Sequence, residues 1–315
     1  MTSRSPQGHE EQLDPSLDTL MGERRRLINL AYRLLGSVTD AEDVVQEAYV
    51  RWYAMTPSQQ RAINSPGSWL AKVASRICLD LLGSARARRE TYVGEWVPEP
   101  VPDRTEWTAV RPAGAEPDPA ERITLDESVT MAFLVVLESL TPAERVSFIL
   151  HDVFRYPFND IADIVGRTPA ACRQLATSAR RRIRDAQAPH RPSSRQAVIV
   201  RDFRLAWEAK DVDALINLLD PGALSVADTG GLVEAGARSM EGAAAIAHGL
   251  VALRSRIPDL AILERMVNGR PGLVIQRDGV IVSVMALEAD DDRITHIWAM
   301  RNPEKLRHWR AGEED

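Results

Sequence analysis

The sequence predicts a multidomain protein, with two all-α helical blocks followed by an α+β domain. Three observations predict it. Apolar residues recur at helical spacing in the stretches 23–89 and 121–187, an acidic proline-bearing stretch separates these, and glycine-punctuated β-branched runs begin only after residue 195. A length of 315 residues is also more than one ordinary core accommodates.

Taken in order, residues 1–22 are polar and acidic and lack an apolar run, which predicts a flexible tail and argues against a signal peptide. Residues 23–90 carry three helical patterns, RRRLINLAYRLLGS, DAEDVVQEAYVRWY and SPGSWLAKVASRICLDLLGSARARRE, the last opening on Ser65 and Pro66 as start signals. Residues 91–120 hold six prolines and little periodicity, so they are predicted to be a linker. Residues 121–187 are helical again, and 188–194 (APHRPSS) form a second short linker. In the last block, 195–315, helices are predicted over 195–210 and 212–219. Hairpin strands come after them, separated by Asp278-Gly279 and Asp290–Asp292.

Composition narrows the function. No stretch approaches the roughly 18 apolar residues of a membrane helix. Cys78 and Cys172 stand 94 positions apart with no ligand-spaced neighbours, so no metal centre or cofactor is expected and a reducing, cytoplasmic setting is. The net charge of −6 is unevenly spread: residues 23–89 carry +5, 90–136 carry −7, 137–194 carry +3 and 195–315 carry −4. Two basic blocks joined by an acidic linker suit a protein that meets a polyanion at two places.

The second basic block contains a helix-turn-helix pattern, FNDIADIVGRTPAACRQLATSARRRIR (158–184). Phe158, Ile161, Ala162 and Val165 form one apolar face, Gly166 permits the reversal, and Thr168 and Pro169 suit the cap and first turn of a second helix. That helix buries Cys172, Leu175, Ala179 and Ile183. It presents Arg173, Gln174, Thr177, Ser178, Arg181 and Arg182 on the other side. Six arginines and no acid lie between Arg167 and Arg184. Guanidinium and amide donors on one helix face are what phosphates and base edges in a major groove require. A merely solvated helix would share the arginines but would not need the turn and the cap.

In the first block the helix over 40–52 buries Ala41, Val44, Val45, Ala48 and Trp52 and exposes Asp40, Asp43, Gln46 and Glu47. This acidic–amide ridge is unsuited to DNA and suited to a basic protein surface, although a solvated face would look the same in sequence. The third helix sets Trp69, Arg76 and Asp80 beside Arg86, Arg88 and Arg89, a mixture that suits single-stranded DNA. Trp52 and Trp69 read as core.

These blocks resemble the extracytoplasmic-function group of sigma-70-type factors, over residues 23–187. The resemblance implies that the ridge Asp40, Asp43, Gln46, Glu47 docks on the clamp helices of the largest subunit of core RNA polymerase. It implies that Arg76, Asp80, Arg86, Arg88 and Arg89 serve the −10 promoter element. Thr168, Arg173, Gln174, Ser178, Arg181 and Arg182 would serve the −35 element. The stretch TYVGEWVPEPV (91–101) is similar to a linker motif of the subgroup carrying a C-terminal SnoaL-like (NTF2-like) domain. That subgroup's DGGGK-type loop, NGxPG turn and RNPxKL end stand here as Asp228-Thr229-Gly230-Gly231-Leu232, Asn268-Gly269-Arg270-Pro271-Gly272 and Arg301-Asn302-Pro303-Glu304-Lys305-Leu306. The first departs from the pattern by a threonine and a leucine, and Thr177-Ser178 departs from the Ser-Arg frequent in relatives. The resemblance further implies regulation in cis through Trp96, Pro98, Glu99, Pro100, Asp228, Gly230 and Gly231, with no dedicated anti-sigma partner. A helix-turn-helix regulator fused to a SnoaL-like enzyme or ligand sensor is the alternative; catalysis would fall to Asp228, His248 and His296, and no catalytic residue is expected.

Overall fold

The computed structural model describes residues 15–89, 95–102, 130–186, 195–231 and 239–310. The first helical block comprises α1 (Pro15–Leu35), α2 (Val38–Tyr53), the short α3 (Pro57–Arg61) and α4 (Pro66–Arg89). Helix α1 opens at Pro15, so part of the segment expected to be a loose tail is helical; Leu17, Leu20 and Met21 continue the helical spacing of the block behind it, and proline fits a first turn. Helix α2 is capped by Ser37, whose hydroxyl accepts from the Asp40 amide at 3.2 Å. It buries Ala41, Val44, Val45, Ala48 and Trp52.

The second helical block contains α5 (Met131–Glu138), α6 (Pro142–Phe148) with a π-helical turn over Ile149–Val153, α7 (Phe158–Val165) and α8 (Pro169–Ala186). Thr141 and Glu144 form a reciprocal capping box at the start of α6. Helix α7 ends on Gly166 at φ 70°, a left-handed position that glycine occupies without strain. The buried face of α8 is Cys172, Ala176, Ala179 and Ile183. Ala176 thus takes the place expected of Leu175, and Ile164 shares the buried face of α7.

The two blocks share a single core. Leu27, Leu34, Val45 and Leu70 of the first pack in one apolar cluster with Leu137, Ile149, Ile161 and Cys172 of the second. Arg145, only 3% exposed, stands at the seam and donates from Nη1 to the Leu34 carbonyl at 2.9 Å and to Glu138 Oε1 at 2.9 Å. Burial pushes its guanidinium down to about 10.

The last block is α+β: α9 (Gln196–Ala209), α10 (Val212–Leu218), β1 (Leu219–Asp228), β2 (Met240–Glu241), α11 (Ala243–Arg256), β3 (Leu260–Val267), β4 (Arg270–Arg277), β5 (Val280–Asp290), β6 (Arg293–Met300) and α12 (Arg307–Arg310). The strands form one sheet in the order β2-β1-β6-β5-β4-β3, with β1 and β6 parallel and the other neighbours antiparallel. The expected Asp278-Gly279 hairpin forms, both residues at positive φ, and Asn268-Gly269 makes a second such turn between β3 and β4. One face of the sheet packs under α9 and α11 around Phe203 and Trp207. The opposite face is also apolar, and Val274, Val284, Trp298 and Met300 cluster there with Val97 of the linker and Met131 of α5.

Removing Arg145 leaves the Glu138 carboxylate and the Leu34 carbonyl without their donor at a dry seam. Arg145→Ala is expected to lower the stability of the helical half by about 2–4 kcal/mol, read as a shifted urea midpoint by circular dichroism. An unchanged midpoint would contradict this account of the seam.

Candidate nucleic-acid interface and linker clamp

Helix α8 presents the arginine face anticipated from the sequence. An open groove is lined by Ala170, Arg173, Gln174, Thr177, Ser178 and Arg181, and Arg184 extends it. Thr168 caps the helix, its Oγ1 accepting from the Ala171 amide at 3.2 Å. Arg173 is exposed, and its guanidinium stands over the Phe158 ring, 5.1 Å from its centre. Two of the anticipated contacts are engaged within the chain: Ser178 donates to Glu144 Oε1 at 2.7 Å, and Arg182 donates to the Ser139 carbonyl at 3.2 Å. Burial works against the Glu144 carboxylate, but hydrogen bonds from Thr141 and Ser178 and the charge of Arg182 together hold its pKa below the ordinary range.

On α2 the residues Asp40, Asp43, Gln46 and Glu47 are exposed on one ridge. Glu47 pairs with Arg51 one turn on, at 2.9 Å. Beside Asp43 and Gln46 lie Val50 and Tyr53, 55% and 61% exposed. Sequence reasoning missed both. An apolar residue on the wet side of an amphipathic helix was the available signal, and with the acids it makes a mixed apolar–acidic face of the kind that receives a basic protein surface.

On α4 the structure places Arg76 and Asp80 at the surface. Arg76 nevertheless has partners, donating from Nη1 to the carbonyl of Ile164 at 2.8 Å and to that of Asp163 at 3.4 Å. Lys72 pairs with Asp163 at 2.7 Å. The cations of α4 thereby engage the C-terminal end of α7, where unpaired carbonyls and the helix dipole attract positive charge. The side chains of Arg86, Arg88 and Arg89 lie outside the described residues. Trp52 is buried and Trp69 half-buried against it, with ring centres 5.4 Å apart, so both belong to the core as expected.

The linker residues 95–102 are extended, and Val97, Pro98, Glu99, Pro100 and Val101 are buried. Asp228, fully buried at the end of β1, accepts from the Val97 amide at 3.1 Å and from Lys305 Nζ at 2.7 Å through one oxygen, and from the Gly230 amide at 3.0 Å through the other. Lys305 also donates to the Val97 carbonyl at 2.7 Å and lies 4.3 Å from the centre of the Trp96 ring. The ring rests on Gly36, at φ 67° at the end of α1, where an added Cβ would come within 3.0 Å of it. Glu99 accepts from Ser37 Oγ at 3.1 Å and from the Val38 amide at 2.7 Å, at the start of α2. Burial raises its carboxyl pKa against the pull of those donors.

Further along, Tyr32 donates its hydroxyl to the Glu99 carbonyl at 2.6 Å and accepts from Asn268 Nδ2 at 2.9 Å. Asn268 pairs with Val101 through both backbone and side chain, at 2.9 and 3.1 Å, and Trp309 Nε1 donates to the Pro100 carbonyl at 2.8 Å. Gly230 sits at φ 65° against Asn302 and Gly231 at φ 74°, while Leu232 and Thr91–Gly94 lie outside the described residues. The three histidine and carboxylate candidates for catalysis do not converge. Asp228 is closed inside the clamp, His248 is exposed on α11 with Nδ1 2.7 Å from the Ala244 carbonyl oxygen, and His296 stacks on Trp298.

Comparison with known proteins agrees with this geometry. Residues 20–88 match the family model for sigma-70 region 2, and residues 130–183 match that for sigma-70, region 4. The chain is 35% identical to the ECF RNA polymerase sigma factor SigJ of Mycobacterium tuberculosis over 295 residues, 90% of each protein. The chain belongs to the extracytoplasmic-function sigma factors of the sigma-70 family. It directs RNA polymerase to promoters in transcription initiation and is not an enzyme. It is also 34% identical to the probable ECF RNA polymerase sigma factor SigI of the same species, over 95% of this chain and 98% of that one. The crystal structure of M. tuberculosis SigJ superposes with a TM-score of 0.70 at 30% identity, covering 93% of this sigma factor and 98% of that chain. The helical blocks and the SnoaL-like C-terminal domain are therefore those of this subgroup.

Lys305→Met would leave the Asp228 carboxylate buried without its cation, at an expected cost of about 3–5 kcal/mol to linker docking. Trp96→Ala should loosen the same clamp. Small-angle scattering should show a larger radius of gyration for both variants, and limited proteolysis faster cleavage near residue 100; unchanged scattering and cleavage would count against the clamp.

Proposed function

We propose that the acidic ridge Asp40, Asp43, Gln46 and Glu47, with Val50 and Tyr53, docks on the clamp helices of core polymerase. In this reading Arg76 and Asp80, with Arg86, Arg88 and Arg89, serve the −10 element. Thr168, Arg173, Gln174, Ser178, Arg181 and Arg182 serve the −35 element. The C-terminal domain regulates both in cis by holding the linker through Trp96, Pro98, Glu99, Pro100, Asp228, Gly230 and Gly231. The sigma factor then works in the cytoplasm without a dedicated anti-sigma partner.

The observation that carries the regulatory part is the engagement of Arg76 and Lys72 with α7. Two promoter elements on one duplex need their readers apart, whereas here α4 packs on the helix-turn-helix and Arg76 is bonded to main-chain carbonyls. Binding a promoter at both elements requires that this seam open. The clamp around residues 96–101 opposes the opening, because the linker between the readers is fastened at once to α1, α2 and the sheet. Differential contact of this kind is what lets one domain bias an equilibrium in another.

Three outcomes test the reading. Asp43→Arg with Glu47→Arg should abolish capture of core polymerase by the full chain while leaving its circular dichroism unchanged. Arg173→Ala or Arg181→Ala should weaken binding to the upstream element by about 1–3 kcal/mol each, measured by fluorescence anisotropy; equal affinity would displace α8 from the groove. Lys305→Met should change transcription from a cognate promoter in vitro more than it changes upstream-element binding, and equal transcription would remove the clamp from regulation.

A further inference from the structure

The C-terminal domain holds a cavity of about 350 Å³ that the promoter and polymerase contacts do not use. It lies between the sheet and α11. Its walls are apolar: Trp207, Leu250, Leu260, Ile275 and Met285. Trp207 already donates its indole N–H to the Leu250 carbonyl at 2.9 Å, so the ring offers the cavity an apolar surface only.

Against these walls stand three polar groups without partners among the described residues. Ser225 on β1 and Ser283 on β5, 6% and 8% exposed, line the cavity, and neither hydroxyl makes a side-chain hydrogen bond to the described residues. Arg301, just beyond β6, is half-buried and lines the same space, with no carboxylate or carbonyl partner among the described residues. Burial alone holds its guanidinium below the ordinary range. Arg256 and Arg277 add positive charge to the lining from exposed positions, and no acid among the described residues lines the cavity. The buried Arg145 at the helical seam, by contrast, has two acceptors for its Nη1.

The strand register sets where these groups stand. Ala227 pairs with Ala299, and Met285 pairs with Ala299 from the other side, so alternate residues of β1, β6 and β5 share one face. Ser225, Ser283 and Arg301 fall on that face; Val284 pairs with Met300, so Ser283 and Arg301 stand side by side, whereas Ser225 pairs with Ile297, four residues along β6 from Arg301. Unpaired donors set among apolar walls gain most from an acceptor that arrives with a ligand. A carboxylate satisfies the neighbouring Arg301 and Ser283 together, accepting two bonds from the guanidinium fork and one from the hydroxyl.

We infer that this cavity binds a small carboxylic acid with an apolar body, its carboxylate on Arg301 and Ser283 and its chain against Trp207 and Leu250. The inference rests on the cavity and is independent of how the clamp controls transcription.

The test uses the full chain with hexanoate, octanoate and decanoate, each against the alcohol of equal length, titrated by calorimetry and by quenching of tryptophan fluorescence. At least one acid should bind about tenfold or more tightly than its alcohol. Arg301→Gln should remove most of that difference and leave the alcohol's affinity unchanged. The variant Ser283→Ala, which retains the arginine, should weaken the acid by about tenfold and keeps the test open if Arg301→Gln does not fold. Acids that fail to bind, acids that bind no better than their alcohols, or a preference that survives in both variants would each overturn the assignment.

Discussion

At the centre of the molecule a single lysine, Lys305, joins a fully buried aspartate to the main chain of the linker, and its ammonium stands over the Trp96 ring. Each of these contacts would be weak at a wet surface. In a dry site they are mutually dependent, because removing any one leaves a charge or a carbonyl that water cannot reach. Asp228 needs Lys305, Lys305 needs the Val97 carbonyl and the indole, and the indole needs the absence of a side chain at Gly36. Through this chain of requirements the end of α1, the linker, the end of β1 and the segment after β6 take one arrangement.

The apolar faces enforce the same arrangement by area. A sheet with apolar residues on both sides must be covered on both. Its own helices cover one, and the other closes on Val97 and Met131, which come from the linker and the second helical block. The C-terminal domain is thus bound to the helical half by burial as well as by the clamp. The cavity and the clamp also meet through the backbone, since the Arg301 amide donates to the Asp228 carbonyl at 2.7 Å. A ligand held at Arg301 would sit one hydrogen bond from the structure that grips the linker.

The helices and their faces were legible because they depend on near neighbours in sequence. The ridge of α2, the cap at Thr168, the reversal at Gly166 and the hairpin at Asp278-Gly279 all arise from side chains within one or two turns of each other. The motifs around Asp228, Asn268 and Arg301 were legible as resemblances to relatives. Their joint purpose was not, because Asn268 meets Tyr32 and Lys305 meets Val97 across more than two hundred residues. The partner of Asp228 illustrates the difference: the sequence directs attention to the leucine standing where relatives have a lysine, whereas the cation in the structure comes from Lys305. Glu99 shows the same. The resemblance marks it for regulation in cis, but only the fold shows it buried and held by the amide and hydroxyl at the start of α2.

By itself the sequence determined the local identities: which segments are helix or hairpin, which face of α8 is cationic, which face of α2 is acidic, and to what family the pattern belongs. Period, capping and charge act over a few residues, so they can be read in order along the chain. Only the tertiary structure decided that the two helical blocks share one core, that Arg76 faces α7 rather than solvent alone, and that residues 97–101 of the acidic linker are buried. Those outcomes depend on which apolar surfaces meet and which buried charges find partners. Such choices are made between segments distant in sequence, where no local pattern records them.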